Sequence, residues 1–347
     1  MSKEDTYGSK MEIVVNCDVY DELKVWAEQS LAQDLVLHLS ERRIDFISRL
    51  SKLTPSLIGV ERKLSYKPYY NIIIENLGEY KKETFPALKD GLYRNIPYSH
   101  ILPISNEKEK ENAVRKYNVL SSLSNENRFL LQDKKLHLFA HHLNSSQIMC
   151  YNFFRPFIDE DQHPTRDLFS ILNTCGVAVP YSDKASCDFE YEQENEGWKD
   201  GTNFDFYLTS LGYEVFFEIK YTEPEFGAFK QTPKEIERHR MKYDKIYHEI
   251  IDNCPALKKK IAFDDEFCCN YQLIRNTIRV TDKTKFVVFI YDANNSNTYN
   301  QLHYFLNEYI ANDYKQNVIP LEWQKLILAC NPDSVYDFWK KYLSYKI

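Results

Sequence analysis

The chain has 347 residues, a formal net charge of −7 and 43% hydrophobic residues. This length suggests about two domains, and the composition is that of a soluble globular protein rather than a disordered one. No run of roughly 18 apolar residues and no signal-peptide pattern is present, so we expect a cytoplasmic protein without a membrane segment. Gly-rich nucleotide-binding motifs and CxxC pairs are both missing, which disfavours a P-loop, a dinucleotide-binding fold and a standard zinc site.

The first part of the chain, residues 1–130, is expected to form an N-terminal domain of mixed, mainly helical structure. Apolar residues at helical spacing predict an amphipathic helix over residues 22–50. Three prolines predict irregular structure over residues 84–105. The charged run SNEKEKEN at 105–112 is interpreted as a solvated loop or a domain boundary. The sequence does not indicate what this domain does.

The second part, residues 131–347, is expected to be an α/β domain. Residues 128–157 are apolar enough to predict one or two buried helices. Three strand-like runs follow, at residues 187–192, 203–209 and 213–221. The connection Ser210-Leu211-Gly212 is short and contains glycine, which suits a β-hairpin between the last two runs.

A helix and a further strand complete this pattern. Thr232 is a suitable N-cap, Pro233 a suitable first residue, and Glu235 completes a capping box. Lys285–Tyr291, KFVVFIY, has the continuous apolar character of a buried central strand. The order helix, three strands, helix, strand predicts a mixed central sheet flanked by helices.

Asp205, Glu218 and Lys220 are the residues most suited to chemistry. Alternation places Glu218 and Lys220 on one face of their strand, and folding back about the turn brings Asp205 opposite residue 217 or 218. Isolated charges are costly to bury in so apolar a strand. A divalent cation with oxygen ligands would offset that cost, and the lysine could face an anionic substrate.

The Asp/Glu-x-Lys pattern alone is weak, because it begins at six positions in the chain. Only the copy at Glu218 lies in an apolar, strand-like run with an aspartate at hairpin distance upstream. With Asp205 before Glu218-Ile219-Lys220 in this order of elements, residues 135–295 resemble the PD-(D/E)XK nuclease superfamily, which includes restriction endonucleases. The phrases TNFDFYL, FFEIKYTE and SSQIMCYNFF are similar to a bacterial family of restriction endonucleases.

This resemblance implies a restriction-endonuclease-like core and a metal-dependent phosphodiesterase, a deoxyribonuclease of restriction or defence. It implies that Asp205 and Glu218 ligate Mg²⁺, with Mn²⁺ as the alternative ion, and that the Ile219 carbonyl adds a ligand. Lys220 would orient the attacking water or stabilise charge on the phosphate. The site offers no obvious nucleophilic side chain, which favours direct attack by water over a covalent intermediate. Phe204 departs from the pattern, because it stands where the named motif has proline.

The resemblance also suggests two further site residues. A second acid is expected on the preceding strand, and Glu190 is preferred to Glu192 because Glu192 begins a polar run. Gln147 on the first core helix is expected to add a polar group. A helix-capping or surface amide is an equally favoured interpretation of Gln147.

Basic side chains on the capped helix, Arg238, Lys242 and Lys245, could hold the phosphate backbone. These residues are explained equally well as ordinary solvated side chains of a helix that pair with nearby glutamates. His137 and His141 lie one helical turn apart, but no glutamate base of the HExxH type accompanies them. We therefore prefer structural histidines to a zinc pair.

Three other interpretations of the site remain open. A structural salt-bridge cluster would be worth only about 0.2–1 kcal/mol per cross-strand pair. A catalytically inactive, nuclease-like DNA-binding or assembly protein would use the same fold. A two-carboxylate sugar hydrolase is disfavoured because Lys220 shares the site. The sequence leaves open the recognition sequence, methylation dependence, DNA versus RNA as substrate, and oligomeric state, although a homodimer would suit paired cuts.

Overall fold

The computed structural model describes residues 66–345, apart from 125–130, 132–133, 135, 196–197, 228, 230–231 and 259–260. The helix predicted over residues 22–50 lies outside the described residues. Within those described, no helix is both long and apolar enough to cross a membrane.

Seven strands form two sheets in the described part of the chain. They are β1 Gly91–Tyr93, β2 Ile96–Tyr98, β3 Ser186–Asn195, β4 Trp198–Ser210, β5 Tyr213–Ile219, β6 Lys285–Tyr291 and β7 Val318–Glu322. β1 and β2 make a small antiparallel hairpin. The other five make one mixed sheet in the order β3-β4-β5-β6-β7, antiparallel from β3 to β5 and parallel from β5 to β7.

Helices surround the larger sheet. They are α1 Tyr66–Thr84, α2 Glu107–Ala113, α3 Ser121–Ser124, α4 Ser146–Phe154, α5 Arg166–Thr174, α6 Pro233–Lys242, α7 His248–Asn253, α8 Asp265–Cys269, α9 Tyr271–Thr277, α10 Ser296–Tyr309, α11 Trp323–Leu328 and α12 Pro332–Tyr342. A π-helical turn, Tyr243–Tyr247, joins α6 to α7.

The sheet separates two hydrophobic cores. Val215, Phe217 and Ile219 on β5 face the first core, which also includes residues of α1, α4 and α12. Phe216 between them faces the second core, together with residues of α9 and α10. Both faces of the sheet are therefore covered by helices. The predicted α/β architecture and the predicted alternation along β5 are confirmed.

Several local predictions are also confirmed. β6 has the predicted bounds, Lys285–Tyr291. α6 begins at Pro233, and the Thr232 side chain accepts a hydrogen bond from the Glu235 backbone N–H. Leu211 and Gly212 turn the β4–β5 hairpin with φ of +49° and +81°, which is typical of a two-residue type I′ turn and explains the glycine.

Other predictions are wrong. The charged run at 105–112 is not a loop, because α2 begins there behind an N-cap at Asn106 and buries Lys110. Residues 84–105, expected to be irregular, contain the short β1–β2 hairpin. By contrast, the prediction of one or two buried helices over residues 128–157 is confirmed by one described helix, α4, in which residues 147–154 are all buried; residues 138–141 before it form a turn.

The domain boundary proposed at residue 130 stays a prediction. The first core includes residues from both sides of it, such as Tyr69 and Leu77 of α1 and Trp339 of α12. The Tyr69 hydroxyl also donates a 2.8 Å hydrogen bond to the Tyr221 carbonyl, just beyond β5. α1 therefore packs directly beside the end of the strand that bears the candidate site.

Candidate active site

Asp205 on β4 and Glu218 on β5 are cross-strand neighbours. The register pairs Phe206 with Phe217, and one further step along the antiparallel ladder places Asp205 opposite Glu218. Asp205 Oδ2 also accepts a 2.6 Å hydrogen bond from the Ile219 backbone N–H. The hairpin thus brings the two predicted carboxylates side by side at the carboxyl end of β5.

Glu190 on β3 extends this pair across a third strand. β3 pairs Tyr191 with Phe204, which places Glu190 opposite Asp205. Glu190 has a φ of +50°, a backbone conformation that is costly for a residue with a side chain and that is concentrated at functional sites. We call Glu190, Asp205 and Glu218 the carboxylate row.

The surroundings of Glu190 include the predicted Gln147. Glu190 Oε2 accepts a 2.7 Å hydrogen bond from Asn203 and lies 3.7 Å from His137 Nε2. Gln147 is fully buried rather than a surface amide. It hydrogen-bonds Glu190 and also accepts a 2.9 Å bond from the His137 backbone N–H. Burial raises the pKa of Glu190, although His137, Gln147 and Asn203 oppose the shift.

Glu218 is 4% exposed and accepts hydrogen bonds from three side chains. Lys220 Nζ lies 2.9 Å and Gln272 Nε2 2.6 Å from its Oε1, and Asn276 Nδ2 lies 2.9 Å from its Oε2. Gln272 and Asn276 project from one face of α9, since they are one helical turn apart. Sequence reasoning missed both residues, and the signal available was their i, i+4 spacing in an amphipathic helix.

The row holds more negative than positive charge. Burial raises the pKa of Asp205 well above its usual range, and the neighbouring charges of Glu218 and Glu190 add to the shift. Burial lowers the pKa of Lys220, but Glu218, Glu223 and Asp205 outweigh this effect and raise it above the ordinary value. Lys220 therefore stays protonated, and one ammonium group faces several carboxylates.

The chemistry of these residues fits a hard divalent cation. Mg²⁺ prefers carboxylate and carbonyl oxygens, which the row and the Ile219 carbonyl offer, and it would compensate the charge that raises the pKa of Asp205. Within the described ranges, however, no three His, Cys, Asp or Glu side chains are arranged to hold a metal ion. To bind a cation, Glu218 would have to give up one of the hydrogen bonds that it accepts from neighbouring side chains.

The three basic residues considered for phosphate binding, Arg238, Lys242 and Lys245, differ in exposure. Arg238 is exposed and lies 3.7 Å from Glu235, and Lys245 is exposed on the π-helical turn. Lys242 is buried, at 5% exposure, so it does not line a solvent-facing phosphate track with the other two.

Phe204, which stands where the motif has proline, has a packing role. It is fully buried in the second core, and its ring centroid lies 4.8 Å from that of Phe216 on β5. The aromatic side chain fills space beneath the site that the smaller proline ring would fill less well.

A comparison with protein families identifies this fold. The family model described as Restriction Endonuclease associating with ARP, REase-ARP, matches residues 75–346. The chain belongs to the REase-ARP family. The match includes the whole carboxylate row and Lys220, and it confirms both the restriction-endonuclease resemblance and the restriction-endonuclease-like core. No curated protein and no solved structure matches the chain.

Proposed function

We propose that this REase-ARP protein is an endonuclease that hydrolyses phosphodiester bonds of DNA with Mg²⁺, in restriction or defence. The observation that supports this proposal most is the carboxylate row beside a protonated Lys220, in a chain of the restriction endonuclease family. The family description also names an association with ARP, and we extend that association to this chain as part of the proposal.

A phosphodiester resists hydrolysis because its negative charge repels a nucleophile. Mg²⁺ held by Asp205 and Glu218, with Glu190 or the Ile219 carbonyl as a further ligand, would lower the pKa of bound water and stabilise charge on the phosphate. The raised pKa of Lys220 suits it to stabilise the phosphate as a cation rather than to accept a proton. The donors on α9 hold Glu218 in place.

One observation favours a different function, that of a catalytically inactive DNA-binding or assembly protein. Glu218 already accepts hydrogen bonds from Lys220, Gln272 and Asn276, as a purely structural ion pair would. In that case DNA would bind without any metal-dependent product.

Plasmid cleavage in Mg²⁺, with EDTA as the blank, tests the proposal. We expect cleavage by the wild type and a loss of about 10²–10³-fold or more in Asp205→Asn, which removes a carboxylate ligand of Mg²⁺, and in Lys220→Ala, which removes the cation that stabilises the phosphate. The amide oxygen introduced by Asp205→Asn could still accept the Ile219 N–H, so the variant should fold. The matched control is Glu214→Gln, which removes a carboxylate from the opposite end of β5, where Glu214 pairs with Lys285 at 2.5 Å.

The control should cleave at the wild-type rate. Undiminished cleavage in both Asp205→Asn and Lys220→Ala would contradict the proposed site. DNA binding by the wild type without cleavage in either Mg²⁺ or Mn²⁺ would favour the inactive alternative. Substituting an RNA of the same sequence measures the preference between the two nucleic acids.

A further inference from the structure

A cavity of about 650 Å³ lies between α1, the β1–β2 hairpin, the turns before α4 and the loop after β5. This volume is within the range of about 300–1,000 Å³ that is typical of small-molecule sites. Four tyrosines, Phe139 and three histidines are among its described lining residues. The wall is therefore largely aromatic.

The cavity adjoins the carboxylate row through two of its lining residues. His137 lies 3.7 Å from Glu190, and Glu223 raises the pKa of Lys220 through its charge. Glu223 is itself fixed, because it accepts hydrogen bonds of 2.7 Å from Ser146 and from the Tyr221 backbone N–H. A ligand in the cavity would thus lie next to whatever occupies the row.

The described wall contains no Lys or Arg side chain. Burial lowers the pKa of His100 to about 4, with a further contribution from Lys81, and lowers the pKa of His142 to about 3, with contributions from neighbouring histidines. Both imidazoles are therefore neutral at physiological pH. Such a lining disfavours a phosphate or another anion. Because the one acid of the described wall, Glu223, already accepts hydrogen bonds from Ser146 and the Tyr221 N–H, an uncharged ligand suits the cavity.

Three of the lining residues carry a buried polar atom that lacks a hydrogen-bond partner. His100 Nδ1, His142 Nε2 and Asn144 Oδ1 are buried and make no hydrogen bond with any described residue. Buried polar groups are nearly always paired in native proteins. A neutral imidazole nitrogen can donate or accept, and an amide oxygen accepts, so these side chains, once turned towards the cavity, would suit a ligand edged with both donors and acceptors.

We propose that the cavity receives one nucleobase of the DNA substrate, turned out of its strand, while the adjoining phosphate lies at the carboxylate row. This inference rests on the proposed nuclease function. A nucleobase is planar, uncharged and edged with donors and acceptors, and proteins bind extruded bases by aromatic stacking and hydrogen bonds to that edge. The aromatic wall suits a planar ring, a described wall without Lys or Arg suits an uncharged one, and His100, His142 and Asn144 would pair with its edge once their side chains turn towards the cavity.

Photo-crosslinking tests the location of the base. Wild-type protein in EDTA is irradiated with a mixed-sequence DNA oligonucleotide that carries 5-iodouracil, and the modified residues are mapped by mass spectrometry. We expect crosslinks on the cavity aromatics Tyr93, Tyr98 or Phe139. Crosslinks confined to residues outside the cavity would overturn the inference.

A pair of variants tests the energetic contribution of stacking. Phe139 is 44% exposed, so Phe139→Ala should fold, and we expect it to weaken oligonucleotide binding in EDTA roughly 5- to 150-fold, the usual effect of removing one stacking partner. The matched control is Tyr304→Ala, an aromatic residue of α10 that is 51% exposed and outside the cavity. Equal affinity of the two variants would overturn the inference.

Plasmid cleavage measured in parallel separates the two proposals. Cleavage by the wild type with crosslinks only elsewhere overturns the base site alone. Crosslinks in the cavity without cleavage in Mg²⁺ or Mn²⁺ support the base site and overturn the proposed catalysis. Tight binding of free deoxynucleotides without oligonucleotide crosslinks in the cavity overturns the base site, since the ligand would then not be a base of the substrate.

Discussion

A single buried carboxylate, Asp292, and the carboxylate row lie at the same edge of the sheet, where the parallel strands β5 and β6 end, and they differ in what surrounds them. Asp292, directly after β6, is fully buried. Its Oδ1 accepts hydrogen bonds from the Asn294 backbone N–H, Gln324 Nε2 and the Tyr345 hydroxyl, at 2.9, 2.9 and 2.7 Å. All three donors are uncharged, and they connect β6 to α11 and to the C-terminal residues.

The carboxylate row is compensated differently. Lys220 donates to Glu218 and acts through its charge on Asp205, whereas Glu190 lies beside His137. The charges of Glu218 and Glu190 help to raise the pKa of Asp205. For Asp292, burial raises the pKa, but hydrogen bonds from Asn294, Tyr345 and Gln324 oppose the shift. Asp292 thus has the surroundings of a structural group, whereas the row keeps an excess of negative charge that a bound cation would neutralise.

The largest stability effect is expected at Asp292. In Asp292→Ala the acceptor is removed, so the buried donors of Asn294, Gln324 and Tyr345 would be left without a partner. We expect a loss of about 2–4 kcal/mol in the free energy of unfolding, measured with denaturant. DNA cleavage per folded molecule should stay at the wild-type rate. A loss of cleavage with unchanged stability would show that Asp292 acts in catalysis, and it would contradict its assignment as a structural group.

A smaller effect, on activity, is expected from the α9 amides. Asn276→Ala removes a donor that holds Glu218, and such supporting contacts typically contribute 10- to 100-fold to metal affinity or activity. We expect plasmid cleavage to fall by about that factor. Asn270→Ala is the control, because Asn270 is buried beside the same helix but donates to the Glu266 carbonyl. Equal losses of cleavage in the two variants would show that the side chains of α9 affect cleavage only through the stability of the folded protein.

The smallest effect is a change in how stability depends on pH. Because the pKa of Asp205 is raised in the folded protein, its stabilising contribution is fully present below the unfolded pKa of about 4 and is lost as pH rises through the folded value. The Asp205→Asn variant has no carboxyl group to ionise at this position, so it does not lose stability in this way. We expect the variant to be more stable than wild type at pH 7, on the order of 1 kcal/mol, and the difference to shrink towards pH 4.

Denaturant unfolding of both proteins across pH 4–8 checks this prediction. Glu214→Gln serves as the control, because the Lys285 and Tyr207 hydrogen bonds more than offset burial and lower the pKa of Glu214. It should lose stability relative to wild type as pH rises. If Asp205→Asn behaved like Glu214→Gln, the row would not be a region of excess negative charge.

The sequence predicted the parts of the fold that depend on local patterns. Alternation along β5 placed Phe216 and Phe217 on opposite faces, and the capping box located the start of α6. The helix at α2 was missed although it has a similar signal. Asn106 accepts from the Glu109 N–H, and Glu109 accepts from the Ser105 N–H at 2.9 Å, but the charged composition concealed this reciprocal cap.

The site was predictable only where two neighbouring strands form it. Asp205 and Glu218 come from one hairpin, so chain spacing alone brings them together. Gln272 and Asn276 come from a helix more than fifty residues away, and no local pattern indicates that α9 packs on this end of β5. The aromatic cavity was unpredictable for the same reason, because its described wall combines four separate segments of the chain.

The most direct test of the carboxylate row is the effect of Mg²⁺ on thermal unfolding without DNA. A ligand whose free concentration is 100 times its Kd stabilises the folded state by about 2.7 kcal/mol. We predict that Mg²⁺, compared with EDTA, raises the Tm of wild type and of Glu214→Gln but not of Glu218→Gln. An equal rise in all three proteins, or no rise in wild type, would contradict the account.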